Sequence, residues 1–302
     1  MTQAAQMITS TDTINTGASA EAIQAHYDIS NEFYALWLDP SMSYSCALWE
    51  EGDSLEDAQI RKLDLHLQQA QATNKNNLLD IGCGWGALLN QAVSQFGVKT
   101  AVGLTLSAEQ VDWIKSRNAE SNRDNISVHL ESWEHHTPVA PYDAIVSIGA
   151  FEHFAKSRTS KTEKLKAYRK FFAWCHSNST NDCSLSLQSI VYENYNEANP
   201  NPFVEEIFPE SELPRIAEIT AACEGLFEIV QLRNDRMHYA KTLQSWYTSL
   251  RKNRQMAIKL VGEKTYKFYE KYLGVFVVGF HIGTVNLVRL EARKLPSIKL
   301  DA

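Results

Sequence analysis

At 302 residues, with 44% hydrophobic and 22% charged side chains, the chain is long enough for one large globular domain or two small ones. A net charge of -7 without a basic block argues against nucleic acid as a partner and against docking on anionic lipid by charge alone, leaving membrane contact at most peripheral. Five scattered cysteines without a CxxC pair, and an N-terminus without a signal-peptide pattern, point to a reducing cytoplasm.

Residues 1–19 are mostly small and polar and are expected to be a disordered tail. A helical pattern over 20–39 carries Ile23, Tyr27, Phe33, Leu36 and Trp37, and Pro40 ends it. Ser54 and Asp57 form a capping-box pattern that opens a helix to about residue 72. Residues 20–76 together are read as a helical lid over cofactor and substrate. The core begins at 77 and alternates: strand 77–82, helix 87–96, strand 99–104, helix 107–119, strands 126–130 and 143–148, helix 161–175 and strand 183–191. Strands separated by helices predict a parallel sheet with helices on both faces. The polar stretch 194–209 reads as a loop or lid, within a helical substrate-covering insertion over 192–223. A helix (211–223), a strand (226–232), a long helix (240–272) and a last strand (275–290) complete the α/β core, residues 77–302. The apolar segment Leu273 to Val285 is too short to cross a bilayer and reads as strand.

The string LLDIGCGWG (78–86) is the most informative. An apolar strand breaks at Gly82, Gly84 and Gly86 and resumes as a helix, which makes a nucleotide-binding corner. Asp80 puts a carboxylate toward the ligand, unsuited to a phosphate but suited to an ammonium or sulfonium. The GxGxG spacing and this carboxylate favour S-adenosylmethionine over a dinucleotide. The next strand lacks the acidic residue that usually binds a ribose, so Thr105 and Gln110 are expected to supply those contacts while Ser107 caps the following helix. Trp133 is expected to stack on adenine and Glu134 to accept from its amino group. No metal-ligand spacing is present, and His135 and His136 are expected to be exposed.

Several strings together resemble the cyclopropane fatty acid synthase family, which includes the mycolic acid cyclopropane synthases. They are HYDISNEFYALWLDPSMSYSCALW (26–49), LLDIGCGWG (78–86), GLTLSAEQ (103–110), DAIVSIGAFEHF (143–154) and HYAKTLQSW (238–246), with IFPESELP (207–214) as a degraded member. The resemblance implies a seven-stranded Rossmann-like class I methyltransferase fold and S-adenosylmethionine as donor. It assigns Tyr44 and Ser45 to the cofactor lid, and Trp133 and Glu134 to the adenine side. It also implies a bicarbonate pocket at Cys46, Glu152 and Tyr239, with Gln188 standing where the family has a histidine. Gln cannot become cationic, so it argues against a firmly held bicarbonate and against ring closure.

The acceptor implied is an alkene carbon of a small hydrophobic or amphiphilic molecule, an acyl chain or isoprenoid. A neutral alkene that takes a methyl from a sulfonium is left cationic, and aromatic faces stabilise such a cation. Glu152 is the expected base, directly or through bicarbonate or water; Tyr239 would orient the anion or base, and Cys46 would line the pocket rather than attack. Two rivals are a C- or N-methyltransferase of a small specialised metabolite and a non-catalytic cofactor-binding protein.

Overall fold

The computed structural model describes residues 29–121, 123–157, 159–195 and 212–296. The proposed tail, Tyr27 and the stretch 196–211 lie outside them.

Leu78, Leu79, Asp80 and Ile81 are all buried, the run of a strand covered on both faces. This strand, β1 (Asn77–Ile81), is central to a seven-stranded sheet ordered β3-β2-β1-β4-β5-β7-β6. The others are β2 (Thr100–Thr105), β3 (Ile126–Leu130), β4 (Tyr142–Ile148), β5 (Ser179–Tyr192), β6 (Phe227–Asn234) and β7 (Val285–Lys294). β1 pairs parallel with β2 and β4, β2 with β3, and β4 with β5. β7 runs antiparallel to both β5 and β6. The chain reverses direction across the sheet between β1 and β4, which opens a crevice at the carboxyl ends of the strands.

The described helices are α1 (Asn31–Ala35), α2 (Leu55–Gln69), α3 (Ala87–Gln95), α4 (Ala108–Glu120), α5 (Lys161–Ser177), α6 (Ile216–Cys223), α7 (Arg236–Lys252) and α8 (Arg254–Ile282). The expected capping box forms: Ser54 accepts from the Asp57 backbone at 3.2 Å and Asp57 accepts from the Ser54 backbone at 3.1 Å. On one face of the sheet Phe171, Phe172 and Tyr168 of α5 pack on Leu185 and Leu187; on the other, Leu63 and Leu67 of α2 and Leu88 and Leu89 of α3 pack on Leu78 and Val146. A third cluster joins α1, the segment after it and α7–α8 through Phe33, Trp37, Trp246 and Tyr269. All five cysteines are buried and unpaired.

Three expectations need correction. The 20–39 helix is, in its described part, one short α1 followed by turns, with Ser30 accepting from the Phe33 backbone at 3.1 Å as its cap. The expected long helix is two: α7 stops at Lys252, and α8 restarts at Arg254 with non-helical backbone at Gly262. The apolar segment from Leu273 is the end of α8, and the last strand begins only at Val285. The residues there are β-prone, but Leu273, Phe276 and Phe280 are buried while Val278 is 56% exposed, a spacing of three and four rather than two. Gly283, with φ 78°, caps the helix and turns the chain into β7.

Candidate cofactor and active site

The glycine corner sits where the crevice predicts. Gly82 lies against Ala150: a Cβ on Gly82 would stand 2.5 Å from the Ala150 Cβ, so only glycine lets the β1 and β4 loops meet. Gly84, with φ 54°, is different: a Cβ there would meet nothing within 4 Å. It faces the cavity that Asp80, Gly82 and Gly84 help to line. Asp80 is 3% exposed and its Oδ1 has no hydrogen-bond partner among the described residues. Burial pushes its carboxyl up to about 7, and Lys62 only partly opposes this. Such a carboxylate suits a cationic ligand group.

The remaining walls bring together most of the expected cofactor residues. Thr105 and Gln110 face the cavity and bond to each other at 2.6 Å, while Ser107 accepts from the Gln110 backbone at 3.3 Å as the cap of α4. Tyr44 and Ser45 close the opposite side; the Tyr44 hydroxyl donates to Tyr272 at 3.1 Å, and the Ser45 hydroxyl accepts from Lys62 Nζ at 3.0 Å. Trp133 lines the wall but is 5% exposed, edge-on to Phe171 at 5.5 Å, so much of its ring serves the core. Glu134 also lines it, with one carboxylate oxygen accepting from Lys170 at 2.7 Å. His153 stands at the rim, where burial pushes its imidazole down to about 4 and keeps it neutral. A nucleoside and an amino-acid zwitterion fit these walls: polar groups of Thr105, Gln110 and Glu134 on one side, the opposite charges of Asp80 and Lys62 and an open glycine face on the other.

A second set of side chains gathers at the carboxyl end of β5. Glu152, in a short 3₁₀ turn (Phe151–His153) after β4, is 4% exposed. Its Oε1 accepts from the Ile190 backbone at 2.6 Å; its Oε2 has no partner among the described residues. Burial pushes its carboxyl up to about 7, the backbone bonds offsetting only part of that. Gln188, two residues before Ile190 on β5, faces Arg289 of β7 across the ladder. Arg289 carries only donors, so the Gln188 carbonyl oxygen faces its Nε at 2.9 Å and the amide NH₂ turns to the other side. His66 Nε2 lies 3.2 Å from the same oxygen. Burial first, then Arg289 and Lys62, keep His66 well below the usual imidazole range, so it meets Gln188 as a neutral N–H.

Arg289 is fully buried and binds several elements at once. It pairs with Asp235, at the start of α7, and its Nη2 donates to the carbonyls of Cys46 at 3.0 Å and Ala47 at 3.3 Å. Burial pushes the Asp235 carboxyl up, but Arg289 and Arg233 outweigh it and the net displacement is downward. The Cys46 backbone, Gln188 and the first turn of the Tyr239 helix are thus tied to one guanidinium. The Cys46 thiol itself is pushed by burial to about 12, which fits a space-filling side chain and not a nucleophile. Tyr239 packs against Phe280 at 4.6 Å and edge-on to Trp246 at 6.2 Å. Around them Tyr34, Trp37, Tyr44, Trp85 and Trp246 form a continuous set of rings 5.0–5.7 Å apart.

His136 departs from expectation: it is buried, lying 2.7 Å from both Glu131 and the Tyr142 hydroxyl, while His135 is exposed as expected. The sequence reading missed Lys62, His66, Asp235 and Arg289. A signal existed for two of them, since Lys62 and His66 lie four apart on the face of α2 that also carries Leu63 and Leu67.

The sheet order, the glycine corner and the cavity walls define a class I S-adenosylmethionine-dependent methyltransferase. The mycolic acid cyclopropane synthetase family profile matches residues 15–290. Cyclopropane mycolic acid synthase 1 of Mycobacterium tuberculosis is 37% identical over 289 residues, covering 90% of this chain and 96% of that one. The cyclopropane synthase MmaA2 of Mycobacterium tuberculosis superposes with a TM-score of 0.82 at 33% identity, over 92% and 99% of the two chains. Mycolic acid cyclopropane synthase CmaA1, solved with SAH and CTAB, gives a TM-score of 0.82 at 35% identity and the same coverage. The chain belongs to the mycolic acid cyclopropane synthetase family. It is an S-adenosylmethionine-dependent methyltransferase. Among the described residues, no helix is long and apolar enough to cross a membrane.

Proposed function

We propose that this enzyme adds a one-carbon unit to an alkene carbon of a lipid-like acceptor, an acyl chain or an isoprenoid. One observation carries this reading. The buried carboxylate Glu152, with one oxygen unpartnered, stands on the same turn whose neighbours Ala150 and His153 wall the cofactor cavity. The names of its relatives, synthases of cyclopropane mycolic acids, support an acyl-chain acceptor. The cofactor supplies an electrophilic methyl when bound. An acceptor carbon left cationic is stabilised by the ring of Tyr44, which lines the cavity, an aromatic face being worth roughly 0.5–2 kcal/mol. Glu152 then accepts the proton, and a carboxyl raised to about 7 is matched to that task near neutral pH. Tyr239 orients the anion or base, and Cys46 fills the wall. In this reading the segment before β1 is the roof of the cofactor cavity, membrane contact is peripheral, and the unpaired cysteines support a cytoplasmic location.

The product we propose is a methylated alkene rather than a cyclopropane. Ring closure needs a base beside the newly added methyl, and an anchored bicarbonate would serve. Gln188 is neutral, and the Arg289 beside it is already committed to Asp235, Gln188 and two carbonyls. A charge-assisted hydrogen bond is roughly twice as strong as a neutral one, so an anion at Gln188 is held weakly. Incubation with labelled S-adenosylmethionine and a panel of unsaturated phospholipids, prenyl diphosphates and amines tests the acceptor. The methylated alkene and the cyclopropane are isomers of one mass, so NMR separates them. An unsaturated product with a new methyl signal is expected. Upfield ring methylene protons, in a reaction accelerated by bicarbonate, would overturn the product assignment; methylated amines would overturn the acceptor.

A further inference from the structure

Lys62 is a charged residue of the cofactor cavity that neither the glycine corner nor the reaction uses. It projects from α2 and is 2% exposed, yet it lines the cavity. Its ammonium has three donors, and one of them goes to the Ser45 hydroxyl at 3.0 Å. Asp80 lines the same cavity with a buried, unpartnered Oδ1. No ion pair joins the two among the described residues, although each is within electrostatic reach of the other. Burying two opposite charges on one cavity without joining them is costly unless a ligand completes both. A ligand that does so carries an ammonium and a carboxylate on one carbon.

We propose that Lys62 holds the α-carboxylate of the cofactor's methionine moiety while Asp80 holds its α-ammonium, so that the pair recognises the amino-acid zwitterion. Ser45 fixes the lysine from the roof. Lys62 is therefore the selectivity residue against nucleosides that fit the adenosine walls but lack the amino-acid head. The inference rests on assigning this cavity to S-adenosylmethionine.

Calorimetry with three ligands tests it: S-adenosylhomocysteine, its decarboxylated analogue that keeps the amine, and 5′-methylthioadenosine, which lacks the amino acid altogether. The wild-type protein should prefer S-adenosylhomocysteine to the decarboxylated analogue by about 10–100-fold, the range of one charged hydrogen bond. Lys62→Met should bind S-adenosylhomocysteine that much more weakly, bind the decarboxylated analogue about as the wild type does, and keep its 5′-methylthioadenosine affinity. A variant that weakens both amino-acid ligands equally, or a wild type without preference, would overturn the proposal. Should Lys62→Met not fold, Lys62→Arg and Asp80→Asn serve. The arginine variant should keep the carboxylate preference, and Asp80→Asn should lose preference for S-adenosylhomocysteine over its deaminated analogue; the opposite result in either sinks the zwitterion pair. Failure of the wild type to bind S-adenosylhomocysteine at all would instead sink the cofactor assignment.

Discussion

Glu152 shows a side chain held against its own stability. Its carboxyl lies at about 7 in the fold against 4.5 as a free side chain, so the native state binds more protons than the unfolded chain between these values. The stability it confers is fully present below about 4.5 and is lost as pH rises through about 7. Glu152→Gln removes that loss, and the melting temperature at pH 8 should exceed that of the wild type. The same change should lower turnover by about 10²-fold with cofactor affinity unchanged, and wild-type turnover at saturating cofactor should climb with pH through about 7. Near-normal turnover of the variant would remove Glu152 as the base. Gly84→Val fills the open face of the corner and forces a branched residue to φ 54°, so calorimetry on the folded variant should detect little or no S-adenosylhomocysteine binding. Asp80, Gly84 and Thr105 were legible because a local strand–glycine–helix string dictates where they point. Arg289 was not: its partners Asp235 and Cys46 lie 54 and 243 residues away, and a charge within an apolar strand gives no local sign of what neutralises it.

At the scale of elements, the end of α8 and the strand β7 carry the test. A strand would put residues 276, 278 and 280 on one face; the helix buries Phe276 and Phe280 and exposes Val278. Phe276→Ala should therefore cost about 3–5 kcal/mol in denaturant unfolding, and Val278→Ala within roughly 0.5 kcal/mol of nothing. Equal costs would argue for the strand. The parallel strands were legible as short apolar runs between helical periods. This segment was not, because Val and Phe favour strands locally and only packing against Tyr239 and Val285 selects the helix. Arg289 joins β7 to β5, α7 and the Cys46 segment. Arg289→Met leaves the buried Asp235 with Arg233 as its remaining guanidinium partner and should cost somewhat less than the roughly 3–5 kcal/mol of a fully unpaired buried charge. The double variant Arg289→Met/Asp235→Leu should recover most of that stability but not turnover. Recovery of both would show that the pair serves the fold alone.

At the scale of the molecule, the cofactor cavity draws its walls from the segment Met42–Ser45, from α2 and from the loops after β1, β2, β3 and β4. A ligand there bridges the sheet with α2 and the segment Met42–Ser45. S-Adenosylhomocysteine at 100 times its dissociation constant should add about 2.7 kcal/mol and raise the melting temperature by several degrees. An unchanged melting temperature at that concentration would mean that the cavity is not its site.

The five buried thiols give the protein a set of internal clocks. Alkylating reagents react with exposed thiolates, and burial withholds both exposure and charge from Cys46, Cys83, Cys175, Cys183 and Cys223. Each therefore reacts only when its own neighbourhood opens. Timed alkylation read by peptide mass spectrometry should find Cys83, at the cavity, modified at a rate that falls when S-adenosylhomocysteine is added below saturation. Cys175 of α5 and Cys183 of β5, in the core between helix and sheet, should wait for rarer and larger openings. The interval between those two rates measures how often the cofactor chamber breathes while the rest of the molecule stays folded.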